Sequence, residues 1–527
     1  MPILLLLACS RPPPAESVFE GGTIHVTGST TDAVAVVGGE IVAIGEEAVA
    51  SIGPDTERVD LAGAHAYPGF QDAHVHLIAG SFVMERLLMV GVSDVDKMAE
   101  LVAEYAAEVP EEPWIVGYGW LSEGTESDPD GRALDAVAPD RPVLLVNNSG
   151  HSAIVNGVAL ARAGITDDTP DPEGGSIARD PETGEATGYL VENALSLVSD
   201  VALADYDDTQ LGSGLAAALD TFSAGGLTGV AEIMASPGFN LARPWIYADL
   251  EDRGELPLRV HYYAPITALE DLAAAEELRG AYDGDLVRFA GAKLWVDGSM
   301  GSGEAWMSEP VEGGGTGTYY FDPAELVAIV REAEARGLSL KMHVSGDAAV
   351  TAAVDAFAVV AEESGLAQVH VLEHAVLLSD ADRARMAELG IVASVQPSHY
   401  LGARLGDTAD TWGDRFDDAY DFRAFVDAGV PLAMGTDWPV WPTTSVPVNL
   451  WTATQAAEGH SLTIAEAITG YAAGSALAVG MAGRLGCLDV GCAADLVILS
   501  ADPAAVAIEE VSGLGVTAVW VAGRQVR

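Results

Sequence analysis

Residues 18 to 68 run in short apolar segments broken by glycine, such as Ala33-Val34-Ala35-Val36-Val37-Gly38-Gly39 and Ile41-Val42-Ala43-Ile44-Gly45. Apolar runs of this length between tight turns predict β-strands. The tail repeats the pattern in Ala494-Asp495-Leu496-Val497-Ile498-Leu499 and in Val516-Thr517-Ala518-Val519-Trp520-Val521-Ala522-Gly523. Two strand-rich ends around a different middle predict a small β-sandwich made from residues 18 to 68 and 481 to 527.

Between these ends, apolar strand candidates alternate with helical stretches rich in Ala, Glu and Leu, the pattern of an α/β barrel. Eight candidates lie near 66 to 72, 227 to 232, 257 to 263, 288 to 297, 338 to 344, 368 to 374, 391 to 396 and 431 to 437. That number completes one TIM (β/α)8 barrel, assigned here to residues 69 to 480. The gap from about 77 to 226 is too long for one helix. It holds the strand-like runs Trp114-Ile115-Val116-Gly117-Tyr118-Gly119 and Pro142-Val143-Leu144-Leu145-Val146, then a Gly/Asp/Pro-rich loop at 164 to 188. These predict an inserted α/β subdomain that covers the barrel mouth.

Composition narrows the class further. Hydrophobic residues make up 49% of the 527 and charged residues 20%. That excludes wholesale disorder and, with no apolar run near about 20 residues, a polytopic membrane protein. Lys and Arg number 25 against 79 Asp and Glu, a formal net charge of -54. Such a surface repels nucleic acid and anionic membranes and suits a salty medium, where screening weakens the self-repulsion.

Cys9, Cys487 and Cys492 are too few for a disulfide framework, and the C-x4-C pair has no further Cys or His cluster beside it. Buried thiols are expected there, in preference to a zinc site. Residues 1 to 17 are set apart from the fold, because Leu6-Leu7-Ala8-Cys9 resembles a bacterial lipobox followed by the Pro-rich Arg11-Pro12-Pro13-Pro14. A lipidated Cys9 would make the chain a lipoprotein of the bacterial cell envelope. A plain apolar terminus, favoured by the missing basic n-region, would leave it cytoplasmic.

The strand ends carry the candidate chemistry, as the C-terminal strand ends of a TIM barrel do. The first candidate ends Asp72-Ala73-His74-Val75-His76, and alternate side chains of an extended segment share a face, so His74 and His76 can address one ion. The fifth ends Leu340-Lys341-Met342-His343 and the sixth Val371-Leu372-Glu373-His374. The eighth runs Met434-Gly435-Thr436-Asp437, where a carboxylate can ligate a metal and exchange a proton with water, or simply cap a turn. Lys293, within Ala292-Lys293-Leu294-Trp295-Val296-Asp297, is costly in an apolar strand unless paired or modified. Two readings stay open for it: an amine neutralised by burial that takes up carbon dioxide as a carbamate, or a partner of Asp297 or Glu232.

In this order, a sandwich half, D-x-H-x-H, a barrel lysine, two single histidines, an aspartate and a returning sandwich half, the chain resembles the amidohydrolase superfamily. Gly150-His151-Ser152 with Asn156, Lys293 to Gly298, His343 with Gly346-Asp347, Glu373-His374, Gln396-Pro397-Ser398-His399 and Asp437-Trp438-Pro439 resemble its YtcJ-like branch, which includes N-substituted formamide deformylases. The resemblance implies His74 and His76 on one metal and His343 and His374 on the other. It also implies a carboxylated Lys293 as bridge, Asp437 as ligand and proton shuttle, and His151 and His399 facing the substrate. Three positions depart from the branch: Glu232 stands where Asp is usual, Ala348 where Arg is common, and Glu304 where Thr is usual. They leave the ligand set intact and bear on substrate identity.

The expected activity is hydrolysis of a non-peptide carbon–nitrogen bond, of amide or formamide type, in a small molecule through a metal-activated hydroxide. Two divalent ions are expected, with zinc, iron or manganese all suited to these ligands. A lactone, ester or cyclic imide would fit the same site, since function lives in the pocket lining. A non-catalytic envelope binding or regulatory protein is the third reading, against which all six ligand positions are filled. The expected partners are a small-molecule substrate and a second copy in a homodimer, with no nucleic acid and no membrane contact beyond a lipid on Cys9.

Overall fold

A computed structural model of the chain describes residues 14–121, 129–172, 174–236, 239–311, 315–405, 409 and 412–527. Cys9 and its lipobox lie outside the described residues. Eight parallel strands form the central sheet: β1 (Phe70–Val75), β2 (Leu227–Ile233), β3 (Arg259–Pro265), β4 (Val287–Trp295), β5 (Leu340–Val344), β6 (Val371–His374), β7 (Val392–Val395) and β8 (Leu432–Met434). They pair in chain order from β1 to β8. The ends then meet, because Asp437 donates its amide to His74 O at 2.8 Å and His76 donates to Trp438 O at 2.8 Å. The sheet is thus a nearly closed TIM barrel. Its strands are buried along most of their length, as expected of parallel strands wrapped by helices.

Two glycines permit close approaches, Gly435 at this seam and Gly69 between β1 and β2. A Cβ on Gly435 would lie 2.7 Å from His74 N, and one on Gly69 would lie 2.3 Å from Thr228 Oγ1. Gly69 also divides the first predicted strand. Residues 66 to 72 are not one element: His65–Pro68 belongs to the terminal sheet and β1 starts at Phe70. The Gly69 amide donates to Asp495 O at the crossing, so tertiary pairing separates what apolarity alone joins.

The chain ends combine in one hydrogen-bonded sheet. Its order is Arg524–Gln525, Val516–Val521, Leu496–Leu499, His65–Pro68, Ser17–Val26, Ser29–Val37 and Glu40–Ile44, with Glu57–Asp60 also on Ser17–Val26. The expected two leaves are therefore continuous, joined where Tyr67 pairs with Val497. The sheet curls enough for Phe19 and Trp520 to meet edge to face at 4.8 Å around a core that includes Val34, Ile41 and Leu496.

Cys487 and Cys492 form a disulfide, correcting the expectation of buried thiols. The turn between them, closed by the Cys492 amide on Asp489 O, brings their Cα atoms to 6.0 Å, within bridging range.

Between β1 and β2 the insertion builds a second, six-stranded sheet. Its order is Gly175–Arg179, Ala186–Glu192, Ser152–Val155, Val143–Asn147, Ile115–Trp120 and Leu87–Leu88. Both runs predicted as strands in this segment are among them. Among the described residues, no helix is long and apolar enough to cross a membrane.

Candidate metal centre

The six proposed ligands converge on the C-terminal end of the barrel. His74 lies on β1 and His76 just past it, Lys293 is on β4, His343 on β5, His374 closes β6, and Asp437 follows β8. Five of them are buried, and His76 is partly so. The rings of His74 and His76 are 5.3 Å apart, those of His74 and His374 4.9 Å, and those of His343 and His374 4.5 Å. Asp437 Oδ1 sits 3.4 Å from His74 Nε2 and 3.2 Å from His76 Nε2.

A second layer of contacts orients the rings. Nδ1 of His74 lies 2.7 Å from Glu373 Oε2, Nδ1 of His76 3.0 Å from Ile233 O, and Nδ1 of His374 2.7 Å from Gln396 Oε1. The acceptors of His76 and His374 hold the proton on Nδ1 and leave the Nε2 lone pair free, the tautomer a ligating imidazole needs, while Glu373 lies at ion-pair distance on the Nδ1 side of His74. His343 is turned the other way. Its Nε2 is 3.3 Å from Gly298 O and 3.2 Å from Ser345 Oγ, which leaves Nδ1 as its free nitrogen.

Electrostatics favour ligation as well. Burial lowers the His74 imidazole to about 4, against the pull of Glu373 and Asp437, and drives His343 and His374 well below the usual range. All three are therefore neutral near pH 7. Burial would raise Asp437, but His74 and His76 hold it well below the carboxylate range. The backbone has positive φ at both His374 (68°) and Asp437 (57°), a conformation L-residues adopt at a cost and one that gathers at functional sites.

Lys293 is 1% exposed, and its Nζ has no hydrogen-bond partner among the described residues. Neither carboxylate considered for it is available. Asp297 accepts amide hydrogens from Trp306, Ser345 and Gly346, and Glu232 accepts those of Leu77 and Ile78 at the first turn after His76. Burial lowers the Lys293 amine to about 8, opposed by Glu373 and Asp437. Of the other two departures, Glu304 accepts the Thr318 hydroxyl, and Ala348 begins the helix Asp347–Ser364 with its amide on Trp306 O.

These residues fit divalent metal. One ligand atom from each of His74, His374 and Asp437 lies within 4.8 Å of the others, and Lys293 Nζ is a buried polar atom with no hydrogen-bond partner among the described residues. The centre opens into a cleft at the barrel mouth. Ala79, Val83, Val146, Pro439 and Val440 supply an apolar wall, and Tyr118 and His151 a polar edge.

His151 comes from the insertion and lines this cleft, its Nδ1 held 2.7 Å from Glu192 Oε2. His399, in the helix Pro397–Leu405, instead points at Asp437, with Nε2 3.6 Å from Oδ2 and its ring stacked on His374.

Sequence reasoning missed the orienting partners Glu373, Gln396 and Glu192. It also missed Lys341, which donates to Glu373 and to Ala73 O at 2.7 Å. One signal was present: Lys341 stands two residues before His343 in an apolar strand and so shares its face.

Comparison with known proteins agrees with this geometry. A family model described as the amidohydrolase family matches residues 57–527. The protein LONG AFTER FAR-RED 3 of Arabidopsis thaliana is 29% identical over 97% of this chain and 91% of its own. A putative amidohydrolase, YtcJ, of Bacillus subtilis is 29% identical over 93% and 95%, and an N-substituted formamide deformylase of Arthrobacter pascens is 27% identical over 95% and 96%. In structure, an uncharacterized metal-dependent hydrolase from Pyrococcus furiosus superposes with a TM-score of 0.71 at 25% identity, covering 93% of this chain and 99% of that one. With a family match over most of its length, a barrel of this kind and a His/His/Asp site at its mouth, the chain belongs to the amidohydrolase family, metal-dependent hydrolases acting on carbon–nitrogen bonds other than peptide bonds.

Proposed function

We propose that this chain hydrolyses a small, non-peptide amide of the N-substituted formamide type, using two divalent ions. His74 and His76 would hold one ion, His343 and His374 the other, with a carboxylated Lys293 between them and Asp437 as a further ligand. The observation that carries the reading is the buried Lys293 amine, with no hydrogen-bond partner among the described residues, beside the His74, His343 and His374 imidazoles. When bound, such ions polarise a carbonyl oxygen and lower the pKa of water. Zinc, iron and manganese suit the donor set alike.

The chain's own residues supply positioning and proton transfer. Asp437 takes the proton of the attacking water at Oδ2 and returns it to the leaving nitrogen, with His399 Nε2 3.6 Å away to share it. Burial lowers the His151 imidazole, but Glu192, Asp437 and Asp297 together raise it above its ordinary value, which favours an Nε2–H directed at the substrate carbonyl from the insertion side. The wall of Ala79, Val83, Val146 and Val440 sheds water from the reacting bond. The formamide assignment is supported by the deformylase relative, which aligns along nearly the whole chain.

The test is metal content per chain by elemental analysis, for the natural protein and Lys293→Ala, alongside a panel of N-substituted formamides, amides, lactones, esters and cyclic imides. About two ions and formamide turnover, both lost in Lys293→Ala, are expected. A single ion with full activity in Lys293→Ala overturns the bridged pair, and turnover confined to lactones or esters overturns the bond assignment.

The Cys487–Cys492 disulfide supports a location outside the reducing cytosol. A lipid on Cys9 would place the protein at the envelope, and a mass shift on that residue in membrane fractions is the measurement that decides it.

A further inference from the structure

A second group of potential ligands lies on the terminal sheet, formed by residues that take no part in the barrel-mouth cleft. His25 comes from Ser17–Val26 and His65 from His65–Pro68, which run parallel in a register pairing Thr23 with His65 and Ile24 with Ala66. Asp502 follows Leu496–Leu499, whose Leu499 pairs with His65. All three are half-buried.

The geometry is that of a partly built coordination shell. His25 Nε2 and His65 Nδ1 are 3.1 Å apart. Two nitrogens bound to a tetrahedral zinc at about 2.0–2.1 Å would stand about 3.3 Å apart. One ligand atom from each of the three residues lies within 4.8 Å of the others. Asp502 is already oriented: its Oδ1 accepts the Tyr67 hydroxyl at 2.8 Å and the Ala504 amide at 2.8 Å, which leaves Oδ2 for a cation. The His25 ring is fixed by stacking on Tyr67, with centroids 4.0 Å apart and planes 12° apart. Tyr67 therefore orients two of the three residues, the outer-layer support seen around metal ligands.

We propose that His25, His65 and Asp502 form a second metal site, in which the two imidazoles and the carboxylate bind one zinc ion and water completes a tetrahedron. Two ligands come from the start of the chain and one from its end, so the ion cross-links the halves of the terminal sheet. Its binding energy then appears as stability of that sheet.

The test uses the full-length protein saturated with zinc, dialysed, and compared with His25→Gln and Asp502→Asn. Each variant is expected to hold one zinc fewer per chain, to keep its hydrolytic activity, and to lose the part of the zinc-dependent rise in Tm that the natural protein shows. Asp502→Asn keeps the side-chain shape and removes only the anionic ligand, so it decides the matter if His25→Gln fails to fold. Equal zinc content and equal zinc-dependent Tm in the natural protein and in Asp502→Asn overturn the site. Loss of zinc from the barrel mouth registers separately, as lost activity.

Discussion

Lys293 and Lys341 are register partners on the adjacent strands β4 and β5, and both are buried, at 1% and 0% exposure. Their surroundings differ in kind. Lys341 donates to Glu373 and to Ala73 O, and Glu373 in turn meets His74, so the lysine is the inner end of a charge chain that orients a proposed ligand. Burial would raise Glu373, yet Lys341 and His74 hold it well below the carboxylate range. Lys293 has no hydrogen-bond partner among the described residues, and its neighbour on the same face is the Trp295 ring, 5.1 Å from Nζ. Two buried amines on paired positions thus differ: one is satisfied by protein, and the other is the amine that the proposed carboxylation would use. A buried amine is costly unless something compensates it, which is why the unpaired lysine marks the site and the paired one supports it.

Substitutions at the two lysines test this contrast. Lys293→Ala should lower hydrolysis by about a thousandfold or more, since several kcal/mol of metal-borne stabilisation are at stake and each 1.36 kcal/mol is about tenfold. Compared in the ion-free, uncarboxylated state, its thermal unfolding should stay at or above that of the natural protein, because an uncompensated amine has been removed. Activity within about tenfold of normal would make Lys293 structural and dissolve the contrast.

Lys341→Met should instead strike stability, by about 3–5 kcal/mol in denaturant unfolding, because Glu373 is left buried and uncompensated. Lys341→Met combined with Glu373→Leu should recover much of that loss. If the double variant is no better than the single one, the pair is not the cause.

Gln396→Leu, which frees His374 Nδ1, should weaken metal binding by about 10–100-fold with little change in Tm, read by competition with a chelator.

The smallest effect is on pH. Carbamate formation needs the neutral amine, so labelled bicarbonate should mark Lys293 about tenfold more per pH unit below about 8, and level off above it. The sign for stability follows from the same shift. The folded amine releases its proton near 8 while the unfolded one keeps it longer, so the ion-free, uncarboxylated protein should gain stability as pH rises through that window. Lys293→Ala should remove both trends.

The legible parts of the site share a cause. His74 and His76 alternate on one strand, and His343, His374 and Asp437 fall at or just beyond strand ends, so a period of two and a strand count locate them before any contact is known. His399 was legible as a site residue but not in its orientation, because which way a helical imidazole faces depends on what packs beneath it, here the His374 ring. The division of residues 66 to 72 at Gly69 was hidden for a similar reason: both halves are apolar, and only their partners, Leu496–Leu499 on one side and β2 on the other, assign them to different sheets.

By itself, then, the sequence determined the barrel, the order in which ligands reach its mouth and the presence of an insertion, because these follow from local periodicity and chain order. The tertiary structure decided which buried charges are paired, which nitrogen each histidine frees, the Cys487–Cys492 bridge and the meeting of His25 with Asp502. Each of those depends on distances between residues remote in the chain, and a pattern read along one strand carries no such distance.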